Sequence, residues 1–119
     1  MTWNLWLDDE RDPAYFLRKV NGEVRERLFR QYARFSSDDF VWCKSSLEAQ
    51  EMIEKRGLPI FMALDHDLGY TDTGMSFLRW LNRTYPDLTP PQWGCHSANP
   101  CGIQAMNAFL DSWQRSLNL

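Results

Sequence analysis

Apolar residues occur along this chain in blocks that alternate between two periodicities. Trp3 to Leu7 is a short apolar run that ends abruptly in Asp8, the pattern of a buried strand carrying acids at its C-terminal end. Phe40-Val41-Trp42-Cys43 is rich in strand formers and follows the turn-prone Ser36-Ser37-Asp38-Asp39. Ile60 to Leu64 is continuously apolar and ends in Asp65, as expected of a central parallel strand buried on both faces. Residues 92–95 supply a short fourth strand.

Between these runs the spacing is helical. Ser45 and Glu48 have capping-box spacing, and the helix they open runs to about Arg56 and stops at Gly57, before Pro59. Met75, Leu78, Leu81 and Tyr85 form a second stripe, which follows Asp72-Thr73-Gly74 and closes at Pro86. Asn99-Pro100 places a cap residue before a proline at the first helical position, and Ile103, Met106, Leu110, Trp113 and Leu117 give the last helix its buried stripe. Between the first two strands, Asn21-Gly22 marks a turn. Val24, Leu28 and Tyr32 then predict a further helix at about 23–35. The strand–helix alternation predicts an α/β fold: a three-layer, open, mostly parallel sheet of four strands flanked by helices on both faces. At 119 residues the chain is expected to be one domain, 1–119, with room for four strand–helix units and not a fifth.

The formal net charge of -3 argues against a general double-stranded DNA binder, but it averages two unlike regions. Seven Lys or Arg lie between Arg11 and Arg34 against three acids, while the rest of the chain holds six bases and thirteen acids. Five of those acids form two short clusters, Asp8-Asp9-Glu10 and Asp65-His66-Asp67. No apolar run is long enough to span a membrane, and the N-terminus lacks the layout of a signal peptide. Cys43, Cys95 and Cys101 are odd in number and lack metal-motif spacing, so they are expected to be free core thiols of a cytoplasmic protein. The six Trp are expected in the core, with one exposed Trp able to stack on a base.

In an open parallel sheet, sites form beyond the carboxyl ends of the strands. The first strand delivers Asp8 and Asp9 there, the third Asp65, His66 and Asp67, and the fourth His96 and Ser97. Gathered carboxylates repel one another, and a hard divalent cation such as Mg²⁺ or Mn²⁺ offsets the repulsion. Asp8, Asp9, Asp65 and Asp67 are therefore the candidate metal ligands. His66 and His96, with Asp65, are the candidate catalytic residues, since two imidazoles beside a phosphate supply an acid and a base. Arg11, Ser97 and Asn99 are the candidate phosphate ligands. Each also has a plain structural reading: a solvated acidic turn, a surface histidine, a helix cap.

LWLDDE, LDHDLG and the later HSA resemble the landmarks of response-regulator receiver domains. There an acidic pair after strand 1 binds Mg²⁺, the Asp ending strand 3 accepts a phosphoryl group, and a Ser or Thr after strand 4 contacts it. Asp8 and Asp9 match the pair, Asp65 the acceptor, and Ser97-Ala98 the hydroxyl–small pair. A receiver also has a Lys after a fifth strand, whereas this chain has no Lys after Lys55. The chain is more similar, over nearly its whole length, to the cyclic-phosphate-processing receiver domains, through LWLDDERDP, DHDLG, the TG before the following helix, and HSANPCGIQAM. That resemblance implies a receiver-like fold whose polar site comprises Asp8, Asp9, Asp65, His66, Asp67, His96, Ser97 and Asn99. The function it implies is a metal-assisted phosphoesterase acting on a cyclic nucleotide or a cyclic-phosphate-terminated RNA. The alternatives are a non-catalytic phosphate- or partner-binding pseudo-receiver and a phospho-acceptor at Asp65. The Arg-rich segment 14–36 is longer than receivers place between strands 1 and 2, and it is a candidate lid, nucleic-acid contact or protein-partner surface.

Overall fold

A computed structural model describes residues 2–14 and 36–118. Among the described residues the strands are β1 (Asn4–Leu7), β2 (Phe40–Cys43), β3 (Phe61–Leu64) and β4 (Gln92–Cys95), a 3-10 turn spans Ser37–Asp39, and the α-helices after β2 are α1 (Ser46–Arg56), α2 (Gly74–Thr84) and α3 (Pro100–Leu117). All strand pairs are parallel, in the order β2-β1-β3-β4. β1 and β3 are central, which accounts for the buried apolar Leu5-Trp6-Leu7 of the one and Phe61–Leu64 of the other. The helix expected at about 23–35, with Asn21-Gly22 and most of the Arg-rich segment, lies outside the described residues.

The three helices share one core with one face of the central strands, the odd-numbered positions of β1 and the even-numbered positions of β3. Leu5, Leu7, Met62 and Leu64 pack with Ala49 and Ile53 of α1, Phe77, Leu78 and Leu81 of α2, and Met106, Leu110 and Trp113 of α3. The opposite sheet face carries Trp6, Phe40 and Phe61, all buried, with Trp6 edge-on to Phe40 and Phe40 edge-on to Phe61. A full side chain of this size is worth roughly 1.5–3 kcal/mol when buried, so both faces contribute to stability.

The helix ends follow the sequence signals. Ser45 Oγ accepts from Glu48 N at 3.1 Å, Thr73 Oγ1 from Ser76 N at 3.1 Å, and Asn99 Oδ1 from Gly102 N at 3.0 Å. The capping box of α1 is half made: Glu48 accepts from the N–H of Lys44 rather than of Ser45. A second cap reaches α1 from afar, because Asp72 accepts from both Ser46 N and Ser46 Oγ. That bond fixes the β3–α2 connection against the start of α1. Gly57 closes α1 at φ +83°, a conformation that suits glycine.

Three expectations are corrected. Ile60 belongs to the ladder through its backbone, which bonds Trp3 and Gln92, yet its side chain is half exposed. Leu117 lies at the frayed end of α3 and is partly exposed, so the buried stripe ends at Trp113. Cys101 is exposed, because it follows Pro100 in the first turn of α3 on the side away from the core, whereas Cys43 and Cys95 are buried.

Candidate active site

Register brings the site residues side by side. Leu7 pairs with Leu64, and Leu64 with Cys95. The ladder continues for one residue: Asp65 N donates to Leu7 O and His96 N to Leu64 O, both at 2.9 Å. Asp8, Asp65 and His96 therefore stand in a row at the sheet's carboxyl edge, on the face that carries Trp6. In the row beneath, Trp6 is registered with Ala63 and Ala63 with Gly94. Those two small residues leave space for the indole to lie across them and stack on His96, with ring centres 4.2 Å apart and planes 15° off parallel.

Asp8 is the most constrained of the three. Its Oδ1 accepts from Glu10 N at 3.0 Å and Arg11 N at 2.9 Å, and its Oδ2 lies 3.1 Å from Nε2 of His96. Both side chains are buried. Burial pushes the Asp8 carboxyl up, but the His96 bond, the two backbone N–H groups and the imidazole's charge together hold it below the usual range. Two indoles pin the same loop: Trp42 Nε1 donates to Asp8 O at 2.7 Å, and Trp6 Nε1 to Arg11 O at 2.8 Å. The loop is thus held both from β1 itself and from the neighbouring β2.

Asp8, Asp9 and Asp65 each offer an oxygen, and the three oxygens lie within 4.8 Å of one another. Burial raises the Asp65 carboxyl, the charge of Asp8 raises it further, and hydrogen bonds from Ser97 and His66 N only partly offset this. The Asp9 carboxyl is raised as well, by burial and then by Glu10 and Asp8. The group carries more negative charge than the protein neutralises. The donor set fits a hard divalent cation. The acids open onto a cleft of about 270 Å³, whose other walls are Glu10, Arg11, Asp67, Gly69, Ser97 and Ala98. Arg11 Nη1 also donates to the carbonyl of His96 at 3.5 Å, which ties its guanidinium to the end of β4.

The remaining candidates form a second group at the cleft's side. His66 Nδ1 lies 2.9 Å from Asp67 Oδ1, and Asn99 Nδ2 donates to Asp67 Oδ2 at 3.4 Å. Asp67 is held below its ordinary range first by the His66 bond, and it stands outside the three-carboxylate group. Asn99 spends its oxygen on capping α3 and its amide on Asp67. The His66 ring lies against Gly102, where an added Cβ would sit 2.8 Å from ring Cδ2 and still closer to Cγ.

Of the residues expected from the sequence, Asp8, Asp9, Asp65, Asp67, Arg11 and Ser97 line one cleft, and the supporting residues were not among those expected. Trp6, Trp42 and Gly102 act through stacking, an indole donor and the lack of a side chain, none of which spacing reveals. His96 was expected beside a substrate, yet it lies behind Asp8, fully covered.

A family model described as the cyclic-phosphate processing receiver domain matches residues 3–112. A search of curated proteins finds no significant match. Among solved structures, one described as the yeast Spc42 trimeric coiled coil, amino acids 181–211, fused to another structure is similar at a TM-score of 0.53 and 11% identity, over 98% of this chain and 81% of that one. That likeness concerns the fold alone. With the sheet order, the acidic row at the strand ends and a family match spanning almost all of its length, the chain belongs to the cyclic-phosphate processing receiver domain family.

Proposed function

We propose that the chain is a metal-assisted phosphoesterase that opens a cyclic phosphate of a nucleotide or RNA end. The observation that carries this reading is the pairing within one cleft of three carboxylates whose oxygens lie within 4.8 Å of one another, Asp8, Asp9 and Asp65, with the side chains Arg11 and Ser97, both able to bind an anion. Asp8, Asp9 and Asp65 would hold a Mg²⁺ or Mn²⁺ ion, which when bound withdraws charge from the phosphate. Arg11 and Ser97 take the phosphate oxygens. His66 handles the proton: Asp67 occupies Nδ1, so Nε2 is the nitrogen left to meet a water. The water oxygen forms a new P–O bond and one ring ester P–O bond breaks. The freed ribose oxygen takes up a proton, leaving a phosphomonoester. His96 is a positioning residue, acting through Asp8, and Asn99 acts through Asp67 and the start of α3.

The test is a panel of cyclic mononucleotides, cyclic oligonucleotides and RNA ending in a cyclic phosphate, incubated with Mg²⁺ or Mn²⁺. Cleavage of at least one substrate, lost with EDTA and in Asp65→Asn, supports the reading. Cleavage unchanged by both would overturn it. Cation-dependent binding without turnover would favour the pseudo-receiver. One phosphoryl group added to Asp65 by acetyl phosphate would favour the acceptor.

A further inference from the structure

We infer that Tyr70 is a stacking platform for the base attached to the phosphate, so that the cleft takes a base-bearing cyclic phosphate rather than one on a sugar or polyol alone. This rests on the cleft being a phosphate site. The connection between β3 and α2 is a small hairpin: Asp67 bridges Thr73 antiparallel, Leu68 N donates to Asp72 O at 3.1 Å, and Asp72 N to Gly69 O at 3.0 Å. Its tip is Tyr70-Thr71. One arm lies on the acids, for a Cβ added to Gly69 would sit 3.4 Å from Asp9 Oδ2, and Gly69 forms part of the cleft wall. Tyr70 follows directly, its Cα about 3.8 Å farther out.

Three observations point to a ligand for this ring. Tyr70 is fully exposed, at 110% of its reference area, the most exposed large apolar side chain among the described residues. It holds φ +51°, a left-handed conformation that disfavours a bulky side chain and that the hairpin imposes without any packing in return. The cleft wall among the described residues contains no aromatic, so a base entering with the phosphate finds no π-face within the wall itself, and Tyr70 adjoins the wall residue Gly69. All six Trp, among which an exposed stacking partner was expected, are buried or half-buried. Tyr70 takes the role that the sequence suggested for a Trp. Stacking is tolerant of base identity, which suits recognition of a phosphate first and a base second.

The test is isothermal titration in Mn²⁺ with an adenosine cyclic phosphate and a cyclic glycerol phosphate, ligand integrity being checked by chromatography after each run. Tyr70→Ala should weaken the adenosine ligand by about 5- to 100-fold, the range that loss of one stacked base implies. It should leave the glycerol ligand unchanged, and Tyr70→Phe should bind both like the wild type. Tyr70→Gly should lose the same affinity with a melting temperature equal to or above the wild-type value, because glycine relieves the left-handed backbone. Equal weakening of both ligands, or of neither, would overturn the stacking role while leaving the phosphate site standing. A wild type that binds neither ligand would overturn the phosphate site as well.

Discussion

The two histidines follow the ends of neighbouring strands, one or two residues beyond β3 and β4, and their surroundings are opposite. His96 is walled in: its Nε2 meets Asp8, Trp6 stacks on its ring, and its side chain is fully covered. His66 leans on the open start of α3, touches an exposed Asp67, and keeps 18% of its side chain accessible. The difference teaches that strand-end placement alone does not assign a role. A covered imidazole bonded to a carboxylate fixes where that carboxylate points, and a partly open one can exchange a proton with a ligand. The cysteines repeat the contrast. Cys95, just before His96, is buried, and Cys101, beside Gly102, is exposed.

The contrast breaks most visibly when each ring is deleted. His96→Ala strands a buried carboxylate and opens a gap under Trp6, which should lower stability by about 3–5 kcal/mol in urea unfolding. His66→Ala should lower it by less than about 1 kcal/mol while reducing turnover by about 100-fold or more. Similar stability losses in the two variants would erase the distinction. Gly102→Ala sharpens it, since the new methyl collides with the His66 ring. It should cost about 1–3 kcal/mol and depress turnover, with Asp8 and its loop unaffected.

Asp65 offers a test of opposite sign. Its carboxyl is raised by burial and by the charge of Asp8, so the folded cation-free protein binds that proton more tightly than the unfolded chain. The charged form opposes folding at neutral pH, and the penalty fades as pH falls toward the folded value. Asp65→Asn should therefore melt at a higher temperature than the wild type without cations, and it should gain less when Mn²⁺ is added. A lower melting temperature in EDTA would contradict this.

The smallest effect concerns the thiols. Burial pushes Cys43 up to about 11, with Glu48 adding to it, and Cys95 up to about 12. Iodoacetamide near pH 8 should modify Cys101 alone in the native protein and all three Cys after unfolding, as read by intact mass. Because both folded values lie above the ordinary thiol value, their contribution to stability is complete below about pH 9 and declines as pH rises toward them. Native labelling at Cys95 would mean that the end of β4 is wetter than the His96 assignment requires.

Much of the fold was legible because its signals are local. The continuous run before Asp65, the Ser45 and Asn99 caps and the Gly57 stop each depend on a few adjacent residues. The convergence of the acids was legible too, since parallel topology alone sends Asp8 and Asp65 to one edge. What stayed hidden depends on register between strands. That Trp6 can cross Ala63 and Gly94 to reach His96 follows from pairing, not from spacing along the chain. Likewise, Asp67 beside Asp65 reads as a further metal ligand until His66 and Asn99 are found holding it.

The central claim is that Asp8, Asp9 and Asp65 hold one divalent cation and Asp67 does not. A Mn²⁺ titration followed by electron paramagnetic resonance tests it most directly. The account predicts one bound Mn²⁺ per wild-type chain, its loss in Asp65→Asn, and its retention in Asp67→Asn. Binding that survives Asp65→Asn, or disappears in Asp67→Asn, would contradict it.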